Sequence, residues 1–406
     1  MMEKKGHIVC IASEFKGNEF LEECQNAGWF VTLVTRKHLL DSPWAWTSLN
    51  DVKTVEKSAT ADDYIRAIAN IAGSRVIDRI VGLDEFDIIT AARAREHLQV
   101  EGLSASYSLR FRDKLNMRNL AFKIGMPCPE FIGIFNKAQI EDFLDRTKPP
   151  WIVKPRTEGA AFGIRKCETK EQVWQVLINL DSRNTWRDHP SQYLLEKFIE
   201  GEVYHVDSVV CNGEIVAVAI GKYGAPPYKI SHHGGVFITS TLDYDSQART
   251  QLLQLNEKLL KGFEYQRGVA HAEFLQSTET GEFYFLEVAC RVGGAYIANM
   301  HEYANGFNLW REWAKLETAT EQEPYRPPKL RNSYAGICLA LAREEFPDTS
   351  NYNDPEIVYR IDKPKHIGFI FETQNKQRLH ELLNSYAERI TKEYLMILPA
   401  KEHHDE

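Results

Sequence analysis

In the stretch HAEFLQSTETGEFYFLEVACR, residues 271–291, two apolar runs flank a polar segment centred on Thr280. Two such runs joined by a short polar segment predict a β-hairpin. With the turn at Thr280, Glu273 lies opposite Glu287, and paired side chains on one face are ~4.5–5.5 Å apart. Two half-buried carboxylates at that separation repel unless a proton or a cation lies between them, and carboxylate oxygens are natural ligands of Mg²⁺. The hairpin therefore predicts a metal site.

The same register makes two further predictions about the hairpin. It pairs Leu275 with Phe285, and strand alternation puts Arg291 on the face of Glu287. A guanidinium close to a bound cation suits phosphate chemistry, because its planar fork of N–H donors matches phosphate oxygens.

Composition limits the class of protein. The chain has 406 residues, of which 43% are hydrophobic and 26% charged, which is typical of a globular protein with two or three domains. A net charge of −8 argues against general binding to nucleic acid or to an anionic membrane, because both partners require a basic surface. We therefore expect no nucleic-acid partner and no membrane partner.

Cysteine use and the N-terminus indicate the compartment. The seven cysteines are scattered and never at CxxC spacing, which favours reduced thiols over disulfides or zinc ligands. The N-terminus lacks the apolar core of a signal peptide, and no run approaches the ~20 apolar residues that span a bilayer. The sequence thus predicts a cytoplasmic protein.

Short β-branched strands alternate with helical patterns through residues 1–111, which predicts a doubly wound parallel α/β domain. The dipeptide Asn212-Gly213 lies between two apolar runs and is a strong signal of a second hairpin. Common nucleotide and hydrolase signatures are absent: GxxxxGK[ST], GxGxxG, GxSxG and HExxH. Their absence weighs against P-loop, Rossmann, α/β-hydrolase and zincin proteins.

Two lysines precede the hairpin in positions that suit anions. Lys114 opens a predicted helix, where the positive helix end stabilises negative charge, although a lysine there is often simply solvated. Lys154 ends the apolar strand WIVKP, so its ammonium either reaches past the core to water or faces a ligand. The segment LLEKFIEGE, residues 194–202, follows about forty residues later.

Taken in order from about Gly82 to Trp310, these motifs resemble the ATP-grasp superfamily of ATP-dependent carboxylate ligases. The resemblance implies that Lys114 and Lys154 bind the ATP phosphates. It implies that the nucleoside contacts come from a segment between two lobes: the adenine edge from Glu196, Lys197, Phe198 and Ile199, and the ribose hydroxyls from Glu202. It further implies that the metal ligands and the catalytic arginine are Glu273, Glu287 and Arg291, with Mg²⁺ as the ion and Mn²⁺ as an alternative.

Other residues carry weaker expectations about the substrate. His232 and His233, in the sequence SHHGG, lie in a predicted loop between strands. The resemblance implies that this loop contacts the acyl substrate, whereas a loop histidine is more often just exposed. Gly293 and Gly294 follow Arg291 and are candidates for the same pocket. Ala289 stands where the superfamily often has an asparagine metal ligand, which leaves open a nucleotide-binding protein without ligase activity.

The resemblance also implies the architecture. We expect α/β and α+β structure in the ATP-grasp arrangement: an N-terminal doubly wound parallel domain (1–111), a small lobe (112–200) and a large lobe with the metal hairpin (201–322) that clasp ATP, and a small C-terminal α+β lobe (323–406). The implied reaction activates a carboxylate as an acyl phosphate and couples it to an amine. Small-molecule carboxylate and amine substrates, with amino acids foremost, are then the partners, and a homodimer is compatible with the superfamily.

Two other readings of the sequence remain open. One is a bicarbonate-activating or purine-pathway enzyme of the same superfamily. The other is an ATP-binding sensor or partner protein without ligase activity.

Overall fold

The N-terminal part is a parallel four-stranded sheet with helices on both faces. The computed structural model describes residues 4–159, 161–182 and 189–398. The sheet order is β3-β2-β1-β4, with strands β1 (His7–Ala12), β2 (Phe30–Arg36), β3 (Asp51–Val55) and β4 (Arg79–Gly82). Four helices accompany it: α1 (Asn18–Asn26), α2 (Ala61–Ala72), α3 (Ile88–Leu98) and α4 (Ala105–Ser108).

Strand alternation explains why this sheet is covered on both faces. In β1, Ile8 and Cys10 pack into the core that contains α1, whereas Val9 and Ile11 pack into the core that contains α2 and α3. Successive side chains of a strand point to opposite faces, so an unbroken apolar strand needs a helix layer on each side. The predicted doubly wound domain is confirmed.

A small antiparallel sheet follows helix α5 (Lys114–Lys123). Its order is β5-β8-β6-β7. Its elements are β5 (Phe131–Gly133), α6 (Lys137–Arg146), β6 (Trp151–Pro155), β7 (Arg165–Cys167), α7 (Lys170–Ser182) and β8 (Tyr193–Lys197). Asp113 accepts the backbone N–H groups of Leu115 and Asn116 and so caps the start of α5, which fixes the position of Lys114.

The remaining strands form one eight-stranded sheet in the order β13-β12-β9-β10-β11-β14-β16-β15. The strands are β9 (Gly201–Cys211), β10 (Glu214–Tyr223), β11 (Phe237–Thr241), β12 (Arg267–Ser277), β13 (Phe283–Ala289), β14 (Tyr334–Leu341), β15 (Ile357–Arg360) and β16 (His366–Thr373). The helices are α8 (Pro227–His233), α9 (Gln247–Gly262), α10 (Ile297–Asn305), α11 (Leu309–Thr318) and α12 (Lys376–Glu393).

Both predicted hairpins are present in this sheet. Asn212 and Gly213 join β9 to β10 with φ angles of 55° and 78°, the left-handed conformation that such a two-residue turn requires. In the second hairpin, Glu273 pairs with Glu287. The predicted pairing of Leu275 with Phe285 is wrong: Leu275 pairs with Tyr284, because an irregularity between Glu273 and Phe274 shifts the register by one residue.

The mixed α/β and α+β architecture agrees with the expected fold class. The proposed domain boundaries remain a prediction, and strands β14 to β16 extend the sheet of the large lobe across the boundary at residue 323. Within the described ranges, no helix combines the length and the apolar character needed to span a membrane.

Candidate nucleotide and metal site

A cavity of about 750 Å³ lies where the small sheet, the hairpin and the N-terminal part meet. Its wall includes Lys154 and Glu196 of the small sheet, Glu273 and Glu287 of the large sheet, and Glu85, which follows β4. Ligand cavities typically measure ~300–1,000 Å³. The volume and the charged wall therefore fit a nucleotide with a bound cation.

The two hairpin carboxylates have different partners. The hydroxyl of Tyr223 donates to Oε1 of Glu273 at 2.8 Å, and Nζ of Lys114 lies 3.0 Å from Oε2 of Glu287. Burial opposes ionisation of Glu273, yet neighbouring His271 and the Tyr223 hydroxyl hold its pKa below the usual range. Two carboxylates on adjacent strands are an oxygen donor set that suits Mg²⁺.

The two lysines are held by oxygen atoms of this chain. Nζ of Lys114 donates to the carbonyl oxygen of Glu158 at 2.6 Å, in the loop that follows β6. Nζ of Lys154 lies 2.5 Å from Oε1 of Glu196. Burial lowers the pKa of Lys154 to about 8, although Glu196 opposes this shift. Two ammonium groups on one cavity wall can neutralise a polyphosphate.

Arg291 is paired with an acid from the N-terminal part. Its Nη2 donates to Oε2 of Glu85 at 2.7 Å, and Nη1 of Arg112 donates to Oε1 of the same carboxylate at 3.0 Å. Burial opposes ionisation of Glu85, but the two guanidinium groups hold its pKa below the usual range. The sequence shows an acidic pair, Asp84 and Glu85, after an apolar strand, and only the structure identifies its partners.

The segment between the sheets lines the cavity in part. Lys197, Phe198 and Ile199 all lie on the cavity wall, together with Glu196. Glu202 does not: its carboxylate lies 2.7 Å from Nζ of Lys222, on the outer face of β9. Strand alternation turns Val203, not Glu202, toward the cavity, so the structure does not support the expected ribose contact of Glu202.

The candidate substrate residues are placed unevenly. Gly294 lines the cavity, whereas Gly293 lies behind it, where an added Cβ would be 2.9 Å from Nδ1 of His271. His233 is exposed and does not line the cavity, and the side chain of His232 lies outside the described part of the chain. Their segment is the end of α8, not the predicted loop.

The helix has a physical cause that the SHHGG pattern concealed. Pro227 occupies the first turn, where its missing N–H costs nothing, and Gly234 ends the helix with a φ of 71°.

A buried polar cluster behind Glu273 was missed by sequence reasoning. The carboxylate of Asp207 is fully buried and lies 2.6 Å from Nδ1 of His205, 2.8 Å from Nδ1 of His271 and 3.1 Å from Nε2 of His301. Burial opposes ionisation of Asp207, yet His271 and His205 hold its pKa well below the usual value. One ring nitrogen of each histidine lies at hydrogen-bond distance from the carboxylate, so Asp207 is satisfied within the cluster. Nδ1 of His301, in contrast, is buried and has no hydrogen-bond partner among the described residues. The sequence signal of the cluster is weak: three histidines spread over 97 positions.

Comparison with known proteins finds an ATP-grasp domain in the middle of the chain. Residues 147–299 match the ATP-grasp domain, so the chain contains an ATP-grasp domain and the resemblance seen in the sequence is confirmed. The chain is 27% identical over 254 residues to an L-arginine-specific L-amino acid ligase of Bacillus subtilis, covering 62% of this chain. It spans 59% of the length of that relative. It is 26% identical over 248 residues to a D-alanine--D-alanine ligase of Ectopseudomonas mendocina (strain ymp), covering 56% of this chain and 71% of that relative.

A solved structure supports the fold over nearly the whole chain. The L-amino acid ligase from Bacillus licheniformis superposes with a TM-score of 0.76 at 16% identity, covering 98% of this chain and 99% of that protein. At 16% identity, this structural likeness establishes the fold alone.

Proposed function

We propose that this protein is an ATP-dependent ligase that activates a carboxylate as an acyl phosphate and couples it to an amine, with amino acids as substrates. ADP and phosphate are the other products. The observation that carries the proposal is that two hairpin carboxylates, two lysines and Arg291 line the same cavity. The similarity to amino-acid ligases supports the choice of substrate class.

The roles that we propose for these residues follow from their charges. Lys114 and Lys154 would hold phosphate oxygens, and Glu273 and Glu287 would hold Mg²⁺, for which Mn²⁺ is a proposed substitute. The ion would offset negative charge on the phosphate oxygens. Arg291 offsets the charge that builds on the phosphoryl group as the substrate carboxylate attacks it.

Little covalent chemistry is required of the protein. The carboxylate oxygen forms a bond to the γ-phosphorus while the bond to ADP breaks. The amine then attacks the acyl carbon, phosphate leaves, and the amine loses a proton. Positioning and charge neutralisation supply most of the rate enhancement in such transfers. Lys197, Phe198 and Ile199 hold the base of the nucleotide in this proposal.

The test is a phosphate-release screen with ATP and Mg²⁺ against pooled amino acids, followed by mass spectrometry of the products. We expect amino-acid-dependent phosphate release, a dipeptide or other amide, and loss of both in Glu287→Gln. Glu282→Gln is the matched control, because Glu282 is an exposed acid of the same hairpin outside the cavity wall.

Two other outcomes would replace the proposal. ADP release that requires bicarbonate but no amino acid would indicate a carboxyphosphate-forming enzyme. ATP binding without ADP production across the panel would indicate a sensor or partner protein. A cytoplasmic location and a homodimer are also proposals, and the seven free cysteines support a reducing compartment.

A further inference from the structure

A fully buried arginine lies behind the phosphate-binding wall of the cavity. Arg118, in helix α5, has no exposed surface. Its Nε and Nη2 donate to Oε2 of Glu196 at 3.2 and 3.1 Å. Its Nη1 donates to the carbonyl oxygen of Leu286 at 2.5 Å. A buried guanidinium is costly unless its charge and its donors are satisfied, and here one carboxylate and one backbone oxygen do both.

Glu196 is shared between two cations. Its Oε2 accepts from Arg118, while its Oε1 lies 2.5 Å from Nζ of Lys154. Glu196 itself is only 4% exposed, so water does not replace either partner. The position of the Lys154 ammonium therefore depends on the position of this carboxylate, which the guanidinium fork holds in one orientation.

The third contact of Arg118 reaches the other side of the site. Leu286 lies on β13 directly before Glu287, the proposed metal ligand, whereas Glu196 lies on β8 of the small sheet. Through one rigid planar guanidinium, Arg118 thus connects two strands. One is β13, which carries the proposed metal ligand, and the other is β8, whose Glu196 contacts the proposed phosphate ligand Lys154. No other part of the proposed reaction uses Arg118.

We infer that Arg118 is a positioning residue that fixes the Lys154 ammonium, through Glu196, at a set distance from the strand carrying Glu287. The inference rests on the proposed nucleotide site. The polyphosphate and the metal must be held in a narrowly defined geometry, since a misplacement of ~1 Å can lower the reaction rate about 100-fold. Without the two donors of the fork, the Glu196 carboxylate is no longer held in one orientation and can draw the Lys154 ammonium away from the cavity.

A double-mutant cycle distinguishes this role from a purely structural one. Affinity for ATP with Mg²⁺ is measured by isothermal titration calorimetry in the wild type, Arg118→Lys, Lys154→Met and the double variant. Lysine keeps the charge but loses the fork, so we expect Arg118→Lys to weaken ATP binding about tenfold, or about 1.4 kcal/mol. In the Lys154→Met background the same change should alter the dissociation constant less than about twofold, because the group that Arg118 positions is gone.

Arg110→Lys is the matched control. Arg110 precedes α5, pairs with Glu264 at 2.5 Å and does not line the cavity, so its substitution should leave ATP affinity unchanged. Thermal unfolding of each variant confirms folding, and Arg118→Gln, which keeps an amide donor, takes the place of Arg118→Lys if that variant does not fold.

Several results would overturn the inference. Wild-type affinity in Arg118→Lys would do so, and so would equal losses of affinity in both backgrounds, which would indicate a general structural effect. If the wild-type protein binds no ATP, the proposed function fails and the inference fails with it. If the wild type binds ATP but the effects of the Arg118 and Lys154 substitutions on affinity are additive, the proposed function stands and the positioning role of Arg118 is refuted.

Discussion

Replacing Glu85 with glutamine should destabilise the folded protein strongly, because Glu85 is the shared counter-ion of Arg291 and Arg112. The side chains of Glu85 and Arg112 are 9% and 8% exposed, so solvent screens their ion pair little. Removing one partner of a buried pair costs about 3–5 kcal/mol, since the remaining charge stays buried without compensation. Glutamine retains a hydrogen-bond acceptor but not the charge.

The expected shift in melting temperature follows from the size of the chain. An unfolding entropy of about 2.1 cal/mol/K per residue gives roughly 0.85 kcal/mol/K for a cooperative unit of 406 residues. The loss of about 3–5 kcal/mol then lowers the melting temperature by roughly 4–6 °C near neutral pH. Differential scanning calorimetry measures this shift directly.

The effect has a defined pH dependence. The pKa of Glu85 is depressed in the folded protein from an ordinary value of 4.5, so its stabilisation is complete above that value and is lost as the pH falls below it. The difference in melting temperature between wild type and Glu85→Gln should therefore shrink on acidification below pH 4.5.

Glu101→Gln is the control for this experiment. The side chain of Glu101 is 86% exposed and lies 3.6 Å from Arg79, and an exposed pair contributes about 0–1 kcal/mol. A loss of stability in Glu85→Gln no larger than that in Glu101→Gln would refute the reasoning, and so would a difference that persists unchanged at acid pH.

Two further predictions concern the proposed reaction. Arg291→Lys should lower kcat about 100-fold while the KM for ATP changes less than about threefold, because the guanidinium acts on charge that develops during transfer; steady-state kinetics at saturating ATP test this, and an unchanged kcat contradicts it. Because the pKa of Lys154 is lowered to about 8 by burial, its ammonium is lost as the pH rises through that value. ATP affinity should then fall by up to about tenfold per pH unit above it. Calorimetry across that range measures the slope, Lys154→Met should lack this component, and an identical slope in both proteins would exclude Lys154 as its source.

Local sequence patterns determined the hairpin and the N-terminal domain. Period-two alternation and the polar turn were enough to place Glu273 opposite Glu287, because both are properties of neighbouring residues. The one-residue irregularity beside Glu273 was not visible in the pattern, so the pairing of Leu275 was wrong. Similarly, strand alternation puts Glu202 and Val203 on opposite faces of β9, but only the packing of the sheets decides which of these faces meets the cavity.

The ion pairs of the site belong to the tertiary structure. Glu85 and Arg291 are separated by 206 positions, and Arg118 and Glu196 by 78. Nothing in the neighbourhood of either residue specifies its partner, because these contacts exist only after separate sheets pack against each other. The sequence alone thus established the residue types and local geometry that a phosphate and metal site needs. Packing decided which charges are buried together, and burial is what makes their interactions strong, since a low dielectric weakens the screening that water provides.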